Sequence, residues 1–99
     1  MKSILVLGAG RSCSTLIKHL LMRSEECEWR VVVGDIDLQV ARLKIDGHPR
    51  GEAFELSSTD NSERDKRIAE ADLVMSMVPP FLHAGVAKVA IRAGVSVIT

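Results

Sequence analysis

The fold predicted for this 99-residue sequence is a doubly wound α/β domain, a parallel sheet of five strands with helices on both faces. Two observations carry that expectation. Short runs such as Ile4–Leu7, the valines within 29–34 and "DLVMSMV" (72–78) are apolar with little alternation, as in strands buried on both faces. Between them lie segments whose apolar residues recur at helical spacing, separated by glycine, proline and aspartate. Strands that alternate with helices imply parallel pairing through right-handed crossovers.

The elements follow in order. Ile4–Leu7 is the first strand, and the helix from Ser12 shows Leu16, Ile17, Leu20 and Leu21 on one face before fading near Ser24. Trp29–Gly34 is the second strand, followed by a helix with Asp37 as N-cap and Val40, Ala41 and Ile45 turned inward. "DGHPRG" (46–51) is a turn, and Ala53–Leu56 the third strand. Asp60 with Glu63 resembles a capping arrangement for a polar helix reaching about Ala71. The fourth strand, 72–78, is broken by Pro79 and Pro80, and Pro80 suits a helix's first turn. Leu82, Val86, Val89, Ala90 and Ala93 form the next helical stripe, Gly94 stops it, and Val95–Thr99 is the fifth strand. The sum is βαβαβαβαβ in one domain over residues 1–99. Because the last strand pattern ends without a cap or tail, the chain reads as the N-terminal fragment of a longer protein.

Composition narrows the function classes. Thirteen basic residues balance thirteen acidic ones and only three residues are aromatic, which argues against a nucleic-acid partner. No apolar run approaches the roughly 18 residues of a membrane span, and the N-terminus is not a secretory signal. Cys13 and Cys27 have no metal-ligand spacing and make no disulfide framework, so a reducing, cytoplasmic setting is expected and no metal site.

The chemistry concentrates in "SILVLGAGRSCST" (3–15). An apolar strand collapses into Gly8-x-Gly10 and then into a helix, at the place where doubly wound sheets bind ligands. Gly8 permits the tight turn, Gly10 lets a phosphate approach the backbone, and the helix N-terminus directs free N–H groups at the anion. Cys13 stands where a third glycine is expected; it is small enough for helix–sheet packing, and packing is preferred here to a nucleophile's role. A purely structural strand–helix turn is the competing reading. Arg11 and Ser12 are candidates for the pyrophosphate, solvation being the alternative for Arg11.

Asp35, 25 positions beyond Gly10, ends the second strand. A carboxylate there accepts hydrogen bonds from ribose hydroxyls and repels a 2′-phosphate, so NAD is favoured over NADP. The alternative is that Asp35 starts a loop or shares capping with Asp37. Ser57 and Ser58 are candidates for the adenine edge. Met77, Val78 and Pro79 would line the central and nicotinamide portions with backbone and apolar side chains. His83, near a helix N-terminus, could act as a neutral hydrogen-bonding group. His19 and His48 read as surface residues. No catalytic residue is assigned.

"ILVLGAGRSCSTLIKHLL", "VVVGDID" and "ADLVMSMVPPFLHAGVAKVAIRAGVSVIT" together resemble the N-terminal, Rossmann-type part of saccharopine dehydrogenases, the glutamate-forming branch that includes the second half of aminoadipic semialdehyde synthase. The most specific piece is Leu73-Val-Met-Ser-Met-Val-Pro79 followed by Phe81-Leu-His83 and its helix. The resemblance implies a full-length NAD(P)-dependent oxidoreductase of lysine metabolism that acts on the C–N bond of saccharopine to release glutamate and aminoadipate semialdehyde. It matches Gly8, Gly10, Arg11 and Ser12 to the phosphate loop, Asp35 to the ribose acid, and Met77, Val78 and Pro79 to the cofactor-lining strand end. It matches Thr99 to the start of a Thr-Ala-Ser-Tyr-like segment. Many relatives have Asp near Ser57, where this chain departs. The amino-acid substrate would meet a second domain, and the sheet edge beyond the fifth strand suggests a homodimer. Two rivals are an NAD-sensing regulatory domain with no chemistry of its own, which would not need Pro79-Pro80-Phe-Leu-His83, and a methyltransferase, which does not suit the double proline.

Overall fold

The structure, a computed structural model, describes residues 2–8, 14–57, 59–78 and 80–98, without the side chains of residues 14 and 80–83. The order is β1 (Lys2–Leu7), α1 (Ser14–Met22), α2 (Ser24–Cys27), β2 (Trp29–Asp35), α3 (Leu38–Ile45), β3 (Gly51–Glu55), α4 (Ser62–Glu70), β4 (Leu73–Ser76), α5 (Pro80–Ala93) and β5 (Ser96–Ile98). The five strands form one parallel sheet in the order β3-β2-β1-β4-β5. The strand order reverses beside β1, which puts the switch point between the carboxyl ends of β1 and β4.

Two cores account for the apolar runs. Ile4, Val6, Val31 and Val33 face Ile17, Leu20 and Leu21 of α1 and Ala41 and Ile45 of α3. The intervening Leu5, Leu7 and Val32 face the other way, with Val74, Phe54, Ile68 of α4, and Val86 and Ala90 of α5. Successive side chains point to opposite faces, so a strand covered on both sides must be apolar at every position.

Several boundaries differ from expectation. β1 begins at Lys2 and β2 reaches Asp35, because backbone pairing continues where side chains are already polar. β3 is Gly51–Glu55 instead of Ala53–Leu56: Gly51 pairs with Val31, and a Cβ on it would come within 2.5 Å of Ile45 Cγ2. β4 stops at Ser76, β5 spans Ser96–Ile98, and α4 covers Ser62–Glu70, each shorter than the pattern predicts. A four-residue helix, α2, was not foreseen; Ser24 is buried there and its hydroxyl donates to the Leu21 carbonyl at 2.6 Å. Ala93, expected on the inward stripe of α5, is exposed. The start of the first helix at residues 12 and 13 lies outside the described residues.

The caps largely agree with the sequence. Asp37 Oδ1 accepts from the Gln39 N–H at 2.9 Å, opening α3. Gly94, at φ +75°, closes α5, with the Val95 N–H reaching the Ala90 carbonyl at 2.8 Å. Asp60 Oδ1 accepts from both the hydroxyl and the N–H of Ser62 at the start of α4, but Glu63 is engaged by Arg67 Nε at 3.0 Å. His48 is half-buried, not a bare surface residue: its Nδ1 accepts from the Arg50 N–H at 3.1 Å and holds the turn before β3.

Candidate functional site: the carboxyl edge of the sheet

The ends of four strands are tied into one ledge. Gly8 N–H donates to the Gly34 carbonyl, Met77 N–H to the Leu7 carbonyl and Leu56 N–H to the Asp35 carbonyl, each at 2.8 Å. Pairing therefore persists one residue past β1, β4 and β3, and it gathers Glu55, Leu56, Asp35, Gly8 and Met77 along the edge.

Gly8 has a φ of +82°, and a Cβ there would sit 3.0 Å from the carbonyl carbon and oxygen of Met77 and 3.1 Å from the Val78 nitrogen. Backbone cannot yield as a flexible side chain can, so glycine is required on two counts, conformation and space.

Beside the switch point, Met77 is 41% exposed while Val78 is buried in the core with Leu7, Val74 and Val86. Of these two expected lining residues, only Met77 offers its side chain to the edge; the side chain of Val78 is spent on packing, on the same face as Val74. Ser76 itself is buried and pairs with Leu7, a polar residue that sequence reasoning passed over.

On the other side of Gly8, Asp35 is half-buried and its Oδ1 accepts from the Asp37 N–H at 2.9 Å. It stands at the edge and also organises the turn into α3, as the loop-starting alternative expected. In the β2–β3 register Asp35 lies opposite Glu55. Val33 and Ala53, two residues earlier, pack on the α1/α3 face, so the two carboxylates share that face.

Ile36, Glu55, Leu56 and Ser57 line an open slot of about 250 Å³ next to Asp35. Ile36 is 63% exposed, an unusual place for isoleucine. Ser57 Oγ accepts from the N–H groups of Thr59 at 3.2 Å and Asp60 at 3.0 Å. The Ser62 hydroxyl, with help from its backbone N–H, holds the Asp60 carboxyl below its ordinary value. Of the residues that line this slot, sequence reasoning singled out Ser57 and passed over Ile36 and Glu55. An isoleucine directly after the strand-ending acid, where no core position was expected, was the available signal.

Gly10, Arg11, Ser12, Cys13, Ser58, Pro79 and Thr99, and the side chain of His83, lie outside the described residues. A larger groove of about 480 Å³, lined by Lys18, Met22, Leu43 and His48 among others, lies at the far end of the strands. There α1 and α3 finish near the starts of β2 and β3, as the Trp29 Nε1 bond to the Leu20 carbonyl and the Gly51–Ile45 contact show. Among the described residues no group of three or more His, Cys, Asp or Glu side chains is placed to hold a metal, and no helix is long and apolar enough to cross a membrane.

With that geometry in place, the comparisons are decisive for the family. Residues 4–99 match the family model described as the saccharopine dehydrogenase NADP binding domain. The chain belongs to that family. It is 34% identical over 99 residues to the saccharopine dehydrogenase [NADP(+), L-glutamate-forming] of Schizosaccharomyces pombe, covering all of this chain and 21% of that protein. It is 27% identical over 106 residues to the alpha-aminoadipic semialdehyde synthase of Arabidopsis thaliana, covering 90% of this chain and 10% of that protein. Apo saccharopine dehydrogenase (L-Glu forming) from Saccharomyces cerevisiae superposes with a TM-score of 0.84 at 31% identity, over 98% of this chain and 21% of that one. The chain thus spans about a fifth of the length of the dehydrogenases it matches. As a saccharopine dehydrogenase NADP-binding domain it is a Rossmann-type dinucleotide module, as its sheet order already indicates. The preference for NAD expected from Asp35 finds no support in these names, which print NADP.

Proposed function

We propose that residues 1–99 are the dinucleotide-binding domain of a longer, cytoplasmic saccharopine dehydrogenase-type oxidoreductase. The full protein would oxidise the CH–NH bond of saccharopine and release glutamate and aminoadipate semialdehyde, in lysine metabolism. The observation that carries this reading is the left-handed, sterically obligate Gly8 at the switch point of a chain whose residues 4–99 match this family throughout.

The residues present fit a nicotinamide dinucleotide. Gly8 lets the turn out of β1 close against the Met77 backbone, and Ile36 and Leu56 offer apolar walls for a base near the end of β2. Gly10, Arg11 and Ser12 would hold the pyrophosphate, Asp35 the ribose hydroxyls, and Met77 with the backbone at Val78 and Pro79 the central part, with Thr99 beyond. When bound, the dinucleotide supplies hydride acceptance; the chain's own residues bind it, orient it and leave one face open for substrate. No residue of this chain is given a catalytic proton to move. The amino-acid substrate is assigned to the rest of the protein.

For the cofactor's identity we propose NAD, on the chain's own residues, although the family and its relatives are named for NADP. A 2′-phosphate would meet the Asp35 carboxylate with Glu55 as its neighbour on the same face. NADH and NADPH titrations followed by nicotinamide fluorescence test it. NADH is expected to bind more tightly, and Asp35→Ala to narrow the gap by on the order of 1–3 kcal/mol, the worth of hydrogen bonds to a charged acceptor. Equal or tighter NADPH binding by the unmodified chain removes Asp35 from this role.

A further inference from the structure

The slot beside Asp35 has a polar rim of two side chains, Glu55 and Ser57, with different capacities. A hydroxyl oxygen accepts at most two hydrogen bonds. Ser57 Oγ already accepts from the Thr59 and Asp60 N–H groups, and it also lies 3.3 Å from Thr59 Oγ1. Its accepting capacity is spent on shaping the loop, and at most its single hydrogen remains to be donated. Glu55, by contrast, is exposed, and no hydrogen bond or ion pair among the described residues holds its carboxylate. A carboxylate accepts and, when ionised, cannot donate.

A purine base in this slot presents at C6 either an amine, which donates, or an oxo group, which accepts. We propose that Glu55 receives the exocyclic amine and makes the slot select an aminopurine over an oxopurine, while Ser57 serves the loop and does not read the base. This rests on the dinucleotide reading above. An oxo group facing Glu55 would find an anion where it needs a donor, so discrimination comes from repulsion as well as from the lost bond.

The reduced forms of nicotinamide adenine dinucleotide and of its hypoxanthine analogue, titrated separately by nicotinamide fluorescence, give the test. The unmodified chain is expected to prefer the adenine form by about tenfold or more, as a hydrogen bond to a charged group implies. Glu55→Gln should bring the ratio close to one, since an amide can turn to donate or accept, and Glu55→Ala should do the same with weaker binding of the adenine form. Ser57→Ala should weaken both ligands together and leave the ratio in place. A ratio unmoved by both Glu55 substitutions, or one that collapses in Ser57→Ala, overturns the proposal while the dinucleotide reading stands. Failure of the unmodified chain to bind either ligand overturns both.

Discussion

The two ends of the same sheet are built on opposite plans. At the amino end, charge is cancelled: Glu52 bridges Arg30 at 3.1 Å and Arg67, Arg67 Nε also bonds Glu63, and its guanidinium lies 5.0 Å from the centre of the Phe54 ring. The Ser3 N–H is likewise closed by Asp72 at 2.7 Å. At the carboxyl end, Ile36 and Met77 are exposed and the Glu55 carboxylate has no partner among the described residues. Helix N-termini also gather at the carboxyl end of a parallel sheet, and side chains and glycine sharpen the contrast. Exposed apolar area costs roughly 25 cal/mol per Å², a cost that a bound ligand recovers.

Apolar exposure alone does not mark the site. Met22 at 73% and Leu43 at 75% exposure flank the larger groove at the amino end. Left-handed backbone alone does not either, since Gly47 near that groove has a φ of +70°. The difference is what a side chain would meet: at Gly47 a Cβ finds nothing within 4 Å, whereas at Gly8 it finds the Met77 backbone at 3.0 Å. One glycine makes a turn; the other makes a turn against a wall.

Four substitutions probe this contrast. The largest effect is expected from Gly8→Val, which combines left-handed strain with a backbone collision. A loss on the order of 2–4 kcal/mol in thermal or denaturant unfolding should accompany loss of dinucleotide binding. Gly47→Ala, strained but uncrowded, should cost about 1 kcal/mol and leave binding unchanged. If the two glycine variants behave alike, the wall at Met77 is irrelevant.

Ile36→Ala comes next. Removing most of one wall of the slot should weaken NADH about 5- to 10-fold, near 1–1.4 kcal/mol, with little change in unfolding. Unaltered affinity would move the base elsewhere. The smallest effect belongs to the amino end: Arg67→Ala should cost about 1 kcal/mol of stability, because its ion pairs are partly solvated and its ring contact is modest. NADH affinity measured on the same protein should not change, and a change in it would mean that the two ends are coupled.

The alternation of elements was legible because a strand covered on both faces has to be apolar at each step, a pattern visible without knowing its neighbours. The glycine turn, Asp35, the Asp37 cap and the Gly94 stop were legible for a similar reason: each answers a local demand of backbone or helix end. α2 was not, since Ser-Glu-Glu-Cys has no apolar period and the burial of Ser24 depends on Leu21. Gly34 carried no signal of its own, yet a Cβ there would lie 2.5 Å from the Phe54 ring, which crosses it from β3.

Residue order along the chain, read locally, therefore settled the fold class and the place of the glycine turn after β1, because both follow from periodicities and φ demands within a few residues. Assembly decided the rest. That Asp35 stands beside Glu55, that the Phe54 ring crosses Gly34 and that the Met77 backbone closes on Gly8 depend on register between strands far apart in sequence. A parallel register is set by packing across whole strands and their crossover helices, so neighbouring residues hold no record of which side chains it will bring together.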